Sequence, residues 1–199
     1  MAYELKISTL KAAALCAGKN DIRKVLNGVC IDIKNESQMV IIGTDGACAF
    51  VGVENYNGGW HGKAEQIIIP LESIVAALKV CDKRQSYIIL EKLSNDKWSL
   101  GAIIFTPIDG KYPDYARIIP KVENLQSGIG YYNPEFLLKA NKAMKEASGN
   151  AYPTLNQHGE KDAGVMTCGM PNYICIIATM NARNKGGSLD SYKGIELPQ

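Results

Sequence analysis

The sequence is short of the residues that metal and redox chemistry need. It has only two histidines, His61 and His158, and none of its six cysteines sits in a Cys-x-x-Cys pair. A structural zinc site takes thiolates or imidazoles at short spacing, so no metal site is expected. Several cysteines lie inside apolar runs, as in Val29-Cys30-Ile31 and Ile174-Cys175-Ile176. They read as buried free thiols of a reducing compartment, where Cys packs as a small apolar residue. Long hydrophobic runs are also missing: nothing approaches the roughly 18 apolar residues of a membrane span. Met1-Ala2-Tyr3-Glu4-Leu5-Lys6 has no apolar signal-peptide core. The expectation is a soluble cytoplasmic protein with no membrane partner. Gly-x-Ser-x-Gly, a Gly-rich phosphate loop with Lys-Ser/Thr and His-Glu-x-x-His are all absent, which argues against an enzyme and leaves no cofactor to expect. Asp45 and Asp109 each precede glycine, and Asp-Gly is first of all a turn signal rather than an acid–base pair.

The 199 residues are 46% apolar and 21% charged, ordinary values for one large or two small globular domains. Periodicity gives strand and helix signals in a recurring order. Tyr3 to Ile7 alternates like a strand; Ser8 to Ala17 is rich in Ala and Leu and reads as a helix, with Ser8 or Thr9 available as cap and Gly18 as stop. Val25 to Ile33, Met39 to Gly43 and Cys48 to Val53 follow as strands. The order restarts with a strand at Gln66 to Ile69, a helix opened by Pro70 over Leu71 to Val80, and strands at Tyr87 to Leu90 and Trp98 to Thr106. After a Pro-containing stretch to Pro120 it restarts again, with a strand at Gly128 to Tyr132 and a helix from Asn133-Pro134 to about Ala147. Strands at Val165 to Cys168 and Tyr173 to Thr179 follow, then a polar tail from Asn184 that is expected to fray. One strand–helix–strands unit thus occurs three times. Short turns between successive strands favour an α+β chain with mostly antiparallel sheet.

Net charge is only +2, but it is unevenly spread. The three helices with their C-terminal loops carry Lys11, Lys19, Arg23, Lys24, Lys79, Lys83, Arg84, Lys139, Lys142 and Lys145 against five acids, a net of +5, which leaves −3 for the rest. On the third helix Phe136, Leu137, Ala140 and Met144 fall on one face and the three lysines on the other. A basic bias shared by three equivalent helices suits a polyanion, because phosphate contacts need only positive charge and reach. Stacking aromatics are not interleaved with these residues, and no helix combines Asn, Gln and Arg for reading bases. Sequence-independent contact with duplex is the chemistry they support.

Four further stretches occur in order: Arg23-Lys24-Val25-Leu26-Asn27-Gly28-Val29, Thr44-Asp45-Gly46, Ile67-Ile68-Ile69-Pro70, and Ile108-Asp109-Gly110-Lys111-Tyr112-Pro113-Asp114-Tyr115-Ala116-Arg117-Ile118-Ile119-Pro120. Together they resemble the middle domain of the bacterial DNA polymerase III β subunit, the sliding clamp, with residues 1–120 as one complete clamp-like domain. Residues 121–183 resemble half of the last domain, through Gly128 to Leu138 and a degraded Thr179-Met180-Asn181-Ala182-Arg183, followed by a flexible tail over 184–199. The resemblance implies the DNA-clamp fold and a processivity factor that encircles or contacts duplex DNA and tethers a polymerase or other replication proteins. It also implies an apolar groove for short partner peptides at Leu26, Thr44, Gly46, Pro120, Met180 and Ala182. Ala47, Cys48, Asn181 and Ala182 depart from the family pattern there. Three units per chain imply a homo-oligomer, a dimer or a four-chain ring, because an unpaired half-domain would leave Phe136, Leu137, Ile174 and Ile176 in water. The competing reading is a clamp mimic, from a mobile element for instance, that binds replication proteins without encircling DNA.

Overall fold

A computed structural model describes residues 2–56, 64–94, 96–120, 130–149, 152–157 and 163–180. Three helices and eleven strands are present among them. The first unit is β1 (Ala2–Lys6), α1 (Ile7–Cys16), β2 (Gly28–Ile33), β3 (Gln38–Thr44) and β4 (Cys48–Asn55). The second is β5 (Glu65–Pro70), α2 (Leu71–Val80), β6 (Tyr87–Lys92), β7 (Trp98–Leu100) and β8 (Ile103–Phe105). The third is α3 (Pro134–Ser148), β9 (Thr154–Asn156), β10 (Gly164–Thr167) and β11 (Tyr173–Ile177).

Local chemistry accounts for most of these bounds. Asn133 caps α3 by accepting from the Glu135 N–H at 2.9 Å. Pro134 opens the helix, and Gly149 closes it at φ 82°, the usual places for these two residue types. The cap expected from Ser8 or Thr9 is not made: α1 begins one residue earlier, at Ile7, without a side-chain cap. Thr9 instead donates to Glu54 on β4, a tertiary contact that local capping rules do not foresee. The single strand expected from Trp98 to Thr106 is two strands, because Gly101 takes φ 57° and turns the chain between them; glycine adopts that conformation without a Cβ clash. The long first strand expected from Val25 is shortened by a 3-10 turn over Lys24–Asn27. Gly130 to Tyr132 are not strand, and the rest of that expected element lies outside the described residues, as does the tail. β9 carries no apolar alternation in its three residues and has no sequence signal of its own.

All strand pairings are antiparallel and form two sheets, β1-β6-β7-β8 and β5-β2-β3-β4-β11-β10-β9. The seven-stranded sheet crosses the boundary expected at residue 120, joining β4 to β11 from Cys48↔Ile177 to Gly52↔Tyr173. α1 and α3 pack side by side over this junction on one face of the sheet. Their small residues (Ala12, Ala13 and Cys16 on α1; Ala140, Ala143 and Ala147 on α3) enter one core with the inward strand residues Val29, Ile31, Met39, Ile41, Phe50, Cys175 and Ile177. Small side chains let the helices approach closely, and each residue buried completely adds roughly 1–3 kcal/mol of transfer free energy depending on size. Lys6 Nζ donates to Tyr173 Oη at 3.1 Å, and that hydroxyl donates to Glu54 at 3.0 Å, fastening β1, β4 and β11 together. Phe136 and Leu137 pack against the shared core, and Ile176 is buried within the chain itself.

The opposite face of the same sheet is covered by the stretch from Ile108 to Ile119. Cys30, Val40, Ile42, Ala49, Val51 and Ile68 meet Tyr112, Tyr115 and Ile119 there; they alternate with the inward set, as successive strand residues must. Buried Asp32 is satisfied by Lys34 at 2.6 Å, Tyr115 Oη at 2.8 Å and Gln66 Nε2 at 3.1 Å, which anchors this strap to β2. A buried carboxylate needs such a full set of partners to offset its desolvation. Helices on one face and strap on the other leave this sheet two-sided and buried.

The closest approach of helix to sheet is at Gly43 on β3, where a Cβ would stand 1.9 Å from the Ala13 carbonyl oxygen. Backbone cannot yield as a side chain does. Gly43→Ala is therefore expected to lower stability by about 3 kcal/mol, read as a reduced urea midpoint.

Candidate nucleic-acid interface and partner hollow

The ten basic residues separate into two groups. Lys11 pairs with Glu146 across the α1–α3 seam at 3.4 Å. Arg23 pairs with Asp21 at 2.8 Å and holds that carboxyl down at about 2, and Arg84 pairs with Asp82 at 3.2 Å. Lys139 forms an ion pair with Asp45. Lys19, Lys24, Lys79, Lys83, Lys142 and Lys145 have no ion pair among the described residues, and most of them stand exposed. Five of them rim open depressions: Lys142 and Lys145 beside Leu15 between α1 and α3, Lys83 with Lys11 beside Leu78, and Lys19 with Lys24 beside Leu71 and Val75. Arg23, Arg84 and Lys11 keep exposed side chains and still contribute to the local potential, weakened by their acids.

Lys139 plays a different part from its neighbours on α3. It reaches the turn that joins β3 to β4, which the sequence marks as Thr44-Asp45-Gly46. Asp45 Oδ1 accepts from the Ala47 N–H at 2.9 Å and from the Cys48 N–H at 2.8 Å, and Oδ2 takes the lysine. This is an Asx turn, the backbone mimicry that aspartate favours. Thr44 Oγ1 accepts from Gly46 N–H and donates to the Cys48 carbonyl, both at 3.0 Å. Arg23 Nη2 donates to the Asp45 carbonyl at 3.1 Å and lies over Gly46, whose φ is 92°, a conformation that suits glycine. Burial pushes the Asp45 carboxyl up, but the Lys139 ammonium and the two N–H donors outweigh it, and the net shift is downward. Sequence reading sets Lys139 among the DNA contacts and Thr44 and Gly46 in the groove; folding brings the two sets together.

Beside this turn is a small apolar hollow of about 90 Å³, lined by Thr44, Gly46, Ile118, Ala163, Ile176 and Ala178 among others. Two of the six expected groove residues line it. Leu26 is 1% exposed and packed, Pro120 is half-buried, and Met180 is exposed with its N–H bonded to the Tyr131 carbonyl at 2.7 Å; none of these three is in the lining. Ala182 lies outside the described residues. Ile176 and Ala178, missed as lining, sit at the end of β11, where strand alternation past Cys175 marks the outward positions.

Cys16 and Cys48 meet in the core with Sγ atoms 3.7 Å apart, and Cys175 bonds to the Ala140 carbonyl. Contact among these thiols and burial push Cys16 and Cys48 far upward, so both stay protonated. Among the described residues no group of three or more potential ligands could hold a metal, and no helix is long and apolar enough to cross a membrane.

The helix pair on a continuous antiparallel sheet has close counterparts among solved structures. The sliding clamp of Pseudomonas aeruginosa superposes with a TM-score of 0.71 at 13% identity, over 91% of this chain and 67% of that one. The Helicobacter pylori beta clamp, bound to a DNA ligase peptide, gives 0.73 at 13% over 90% and 65%. This is the DNA-clamp fold. Sequence similarity points the same way. The beta sliding clamp of Escherichia coli (strain K12) is 25% identical over 194 residues, 94% of this chain and 48% of that protein. The beta sliding clamp of Proteus mirabilis is 29% identical over 105 residues, 51% and 28% of the two. The chain spans about half the length of the curated clamps it matches. No family model matches it.

The Asp45–Lys139 pair ties α3 of this clamp fold to the β3–β4 turn. Because the Asp45 carboxyl titrates lower in the folded chain than in the unfolded one, the pair's contribution is complete above about pH 4 and is lost as pH falls through the folded value. Lys139→Ala is expected to cost about 1–2 kcal/mol at pH 7 after allowing for partial exposure. In urea titrations from acid to neutral pH, the gap between wild type and variant should close toward the acid end.

Proposed function

We propose that the chain is a non-enzymatic, cytoplasmic clamp-like processivity factor that contacts duplex DNA independently of sequence and tethers a polymerase or other replication proteins through the Thr44–Ile176 hollow. The observation that carries this reading is the α1–α3 pair on one face of the seven-stranded sheet, with Lys142 and Lys145 at its rim while the opposite face is closed by the strap. Duplex backbone needs mobile, unpaired cations and no base-reading side chains, and this rim supplies that chemistry. Lys19, Lys24, Lys79 and Lys83 extend the basic surface, with Arg23, Arg84 and Lys11 adding to it. The Helicobacter pylori clamp is bound to a DNA ligase peptide, and the apolar lining of this hollow suits a short apolar anchor of such a peptide. Self-association into a dimer or four-chain ring belongs to the same reading.

A second reading has one observation in its favour. The third unit closes the β4 edge within its own chain, an arrangement that suits a clamp mimic which binds replication proteins without encircling DNA. Retention on circular but not linear duplex identifies a ring; equal loss from both identifies the mimic.

Two outcomes follow for the sites. Lys142→Gln with Lys145→Gln should weaken binding equally on unrelated duplexes and reduce the slope of log affinity against log salt by about 1.8, two phosphate contacts' worth. Lys139→Gln, which acts on the turn, should change that slope far less. Ile118→Arg, at the mouth of the hollow, should abolish capture of a clamp-binding peptide while leaving DNA binding intact, as read by fluorescence anisotropy.

A further inference from the structure

Three stretches far apart in sequence frame a depression of about 600 Å³. One wall is the loop that follows α1. The Gly18 N–H donates to the Leu26 carbonyl at 2.8 Å. Asn27 grips the same loop twice: its Oδ1 accepts from the Asp21 N–H at 2.7 Å, and its Nδ2 donates to the Asp21 carbonyl at 2.8 Å. Asn20 takes φ 58° there, a conformation that asparagine tolerates better than most residues. A second wall is the start of α2, where Leu71 and Val75 stand one turn apart on the same side. Pro70 and Ile108 complete the apolar part of the lining. The Ile108 N–H donates to the Ile68 carbonyl at 2.9 Å, which holds the head of the strap against β5. Hydrogen bonds within the chain thus fix these walls, and the depression is formed before any ligand arrives.

We infer that this depression is a peptide site separate from the Thr44–Ile176 hollow, and that it takes an acidic segment of a partner protein carrying apolar side chains. Its mixed chemistry selects that ligand. Pro70, Leu71 and Ile108 are half-buried and Val75 is 45% exposed, so the apolar part is incompletely covered. Lys19 and Lys24 stand exposed at the rim, with no ion pair among the described residues. Glu72 is the one acid among the described residues of the lining, against these two ammonium groups. Duplex backbone satisfies the lysines but has no apolar group for the four apolar side chains of the lining. A phosphate laid over them loses water and gains no partner. A segment whose carboxylates flank leucine-like side chains meets both demands. The shape agrees, because an open depression of this size suits a short stretch of chain laid across it better than an engulfed small molecule. The hollow beside Thr44 is only about 90 Å³, with no cation among the described residues of its lining, and it takes a single apolar anchor instead. The inference rests neither on DNA binding nor on an occupied hollow, and it holds for either reading of function.

Amide chemical shifts locate the ligand directly. The acetylated and amidated peptide Glu-Leu-Leu-Glu, titrated into the isotope-labelled chain, should move the amides of Asn20, Lys24, Leu71 and Val75 together. Those of Ile118 and Ala178, at the hollow, should stay in place. The uncharged Gln-Leu-Leu-Gln should bind about tenfold more weakly, and Val75→Asp, on the exposed side of α2, should weaken Glu-Leu-Leu-Glu by a similar factor. Lys19→Glu with Lys24→Glu should lose Glu-Leu-Leu-Glu and bind Lys-Leu-Leu-Lys instead, a gain that an unfolded variant cannot show. Absence of any shift at millimolar peptide overturns the inference. So does equal binding of the charged and uncharged peptides, or a shift at Lys19 and Lys24 that leaves Leu71 and Val75 unmoved. Shifts at Ile118 and Ala178 that vanish in Ile118→Arg place the peptide in the hollow and overturn it as well. A duplex oligonucleotide that moves Leu71 and Val75 where the peptide does not overturns it in favour of nucleic acid. DNA retention and peptide capture at the hollow, measured on the same variants, report the functional reading separately.

Discussion

Everything in this molecule depends on the antiparallel seam between β4 and β11. Without it the first unit has an open strand edge and α1 an uncovered alanine face, and α3 keeps only β10 and β11 of its own unit to pack on. With it, backbone hydrogen bonds continue across seven strands, and the two helices share one core. The third unit alone, three short strands and one helix, sits at the lower limit of what folds independently, so the seam adds most of its buried surface. The seam also fixes the site. It carries α3 to the position from which Lys139 reaches Asp45, and it brings Ile176 and Ala178 beside Thr44 and Gly46.

Electrostatics on the helix side is less uniform than a count of lysines suggests. Four of the ten cations are held by carboxylates, and of these Lys139 is the one drawn into a structural role. Exposed pairs such as Arg84–Asp82 contribute little to stability and leave the arginine free to reorient. The exposed basic surface is therefore made mainly by lysines without a fixed partner among the described residues, with flexible stems rather than the rigid fork of arginine.

Much of the fold is legible because its signals are local. Asn133-Pro134 at the start of α3, Pro70 before α2 and the β-branched runs of β2 to β5 each specify an element through capping, φ preference or period-2 burial. The three-unit order follows from them, and the family motifs agree. Relations between residues far apart in sequence are what cannot be read. Nothing near Thr9 shows that its hydroxyl serves Glu54 rather than α1, and nothing near Lys139 shows that it bonds to Asp45. The hollow is half legible for the same reason: Thr44 and Gly46 lie in a recognisable turn, whereas Ile176 and Ala178 join them only through strand pairing. Leu26 is interior rather than groove-lining, and an apolar side chain in a motif looks alike in either place.

The distance along the chain between the two sides of the seam has a kinetic consequence. Glu54 and Tyr173, bonded across it, are separated by 119 residues. During synthesis β4 leaves the ribosome long before the strand that will cover it, and for that interval its edge is a template for any extended segment that drifts near. Closing so large a loop is entropically slow, so the seam forms late. Cover on both faces by α1 and the strap, which precede the third unit, limits what stays open while the chain waits to the row of β4 backbone groups and the alanine face of α1.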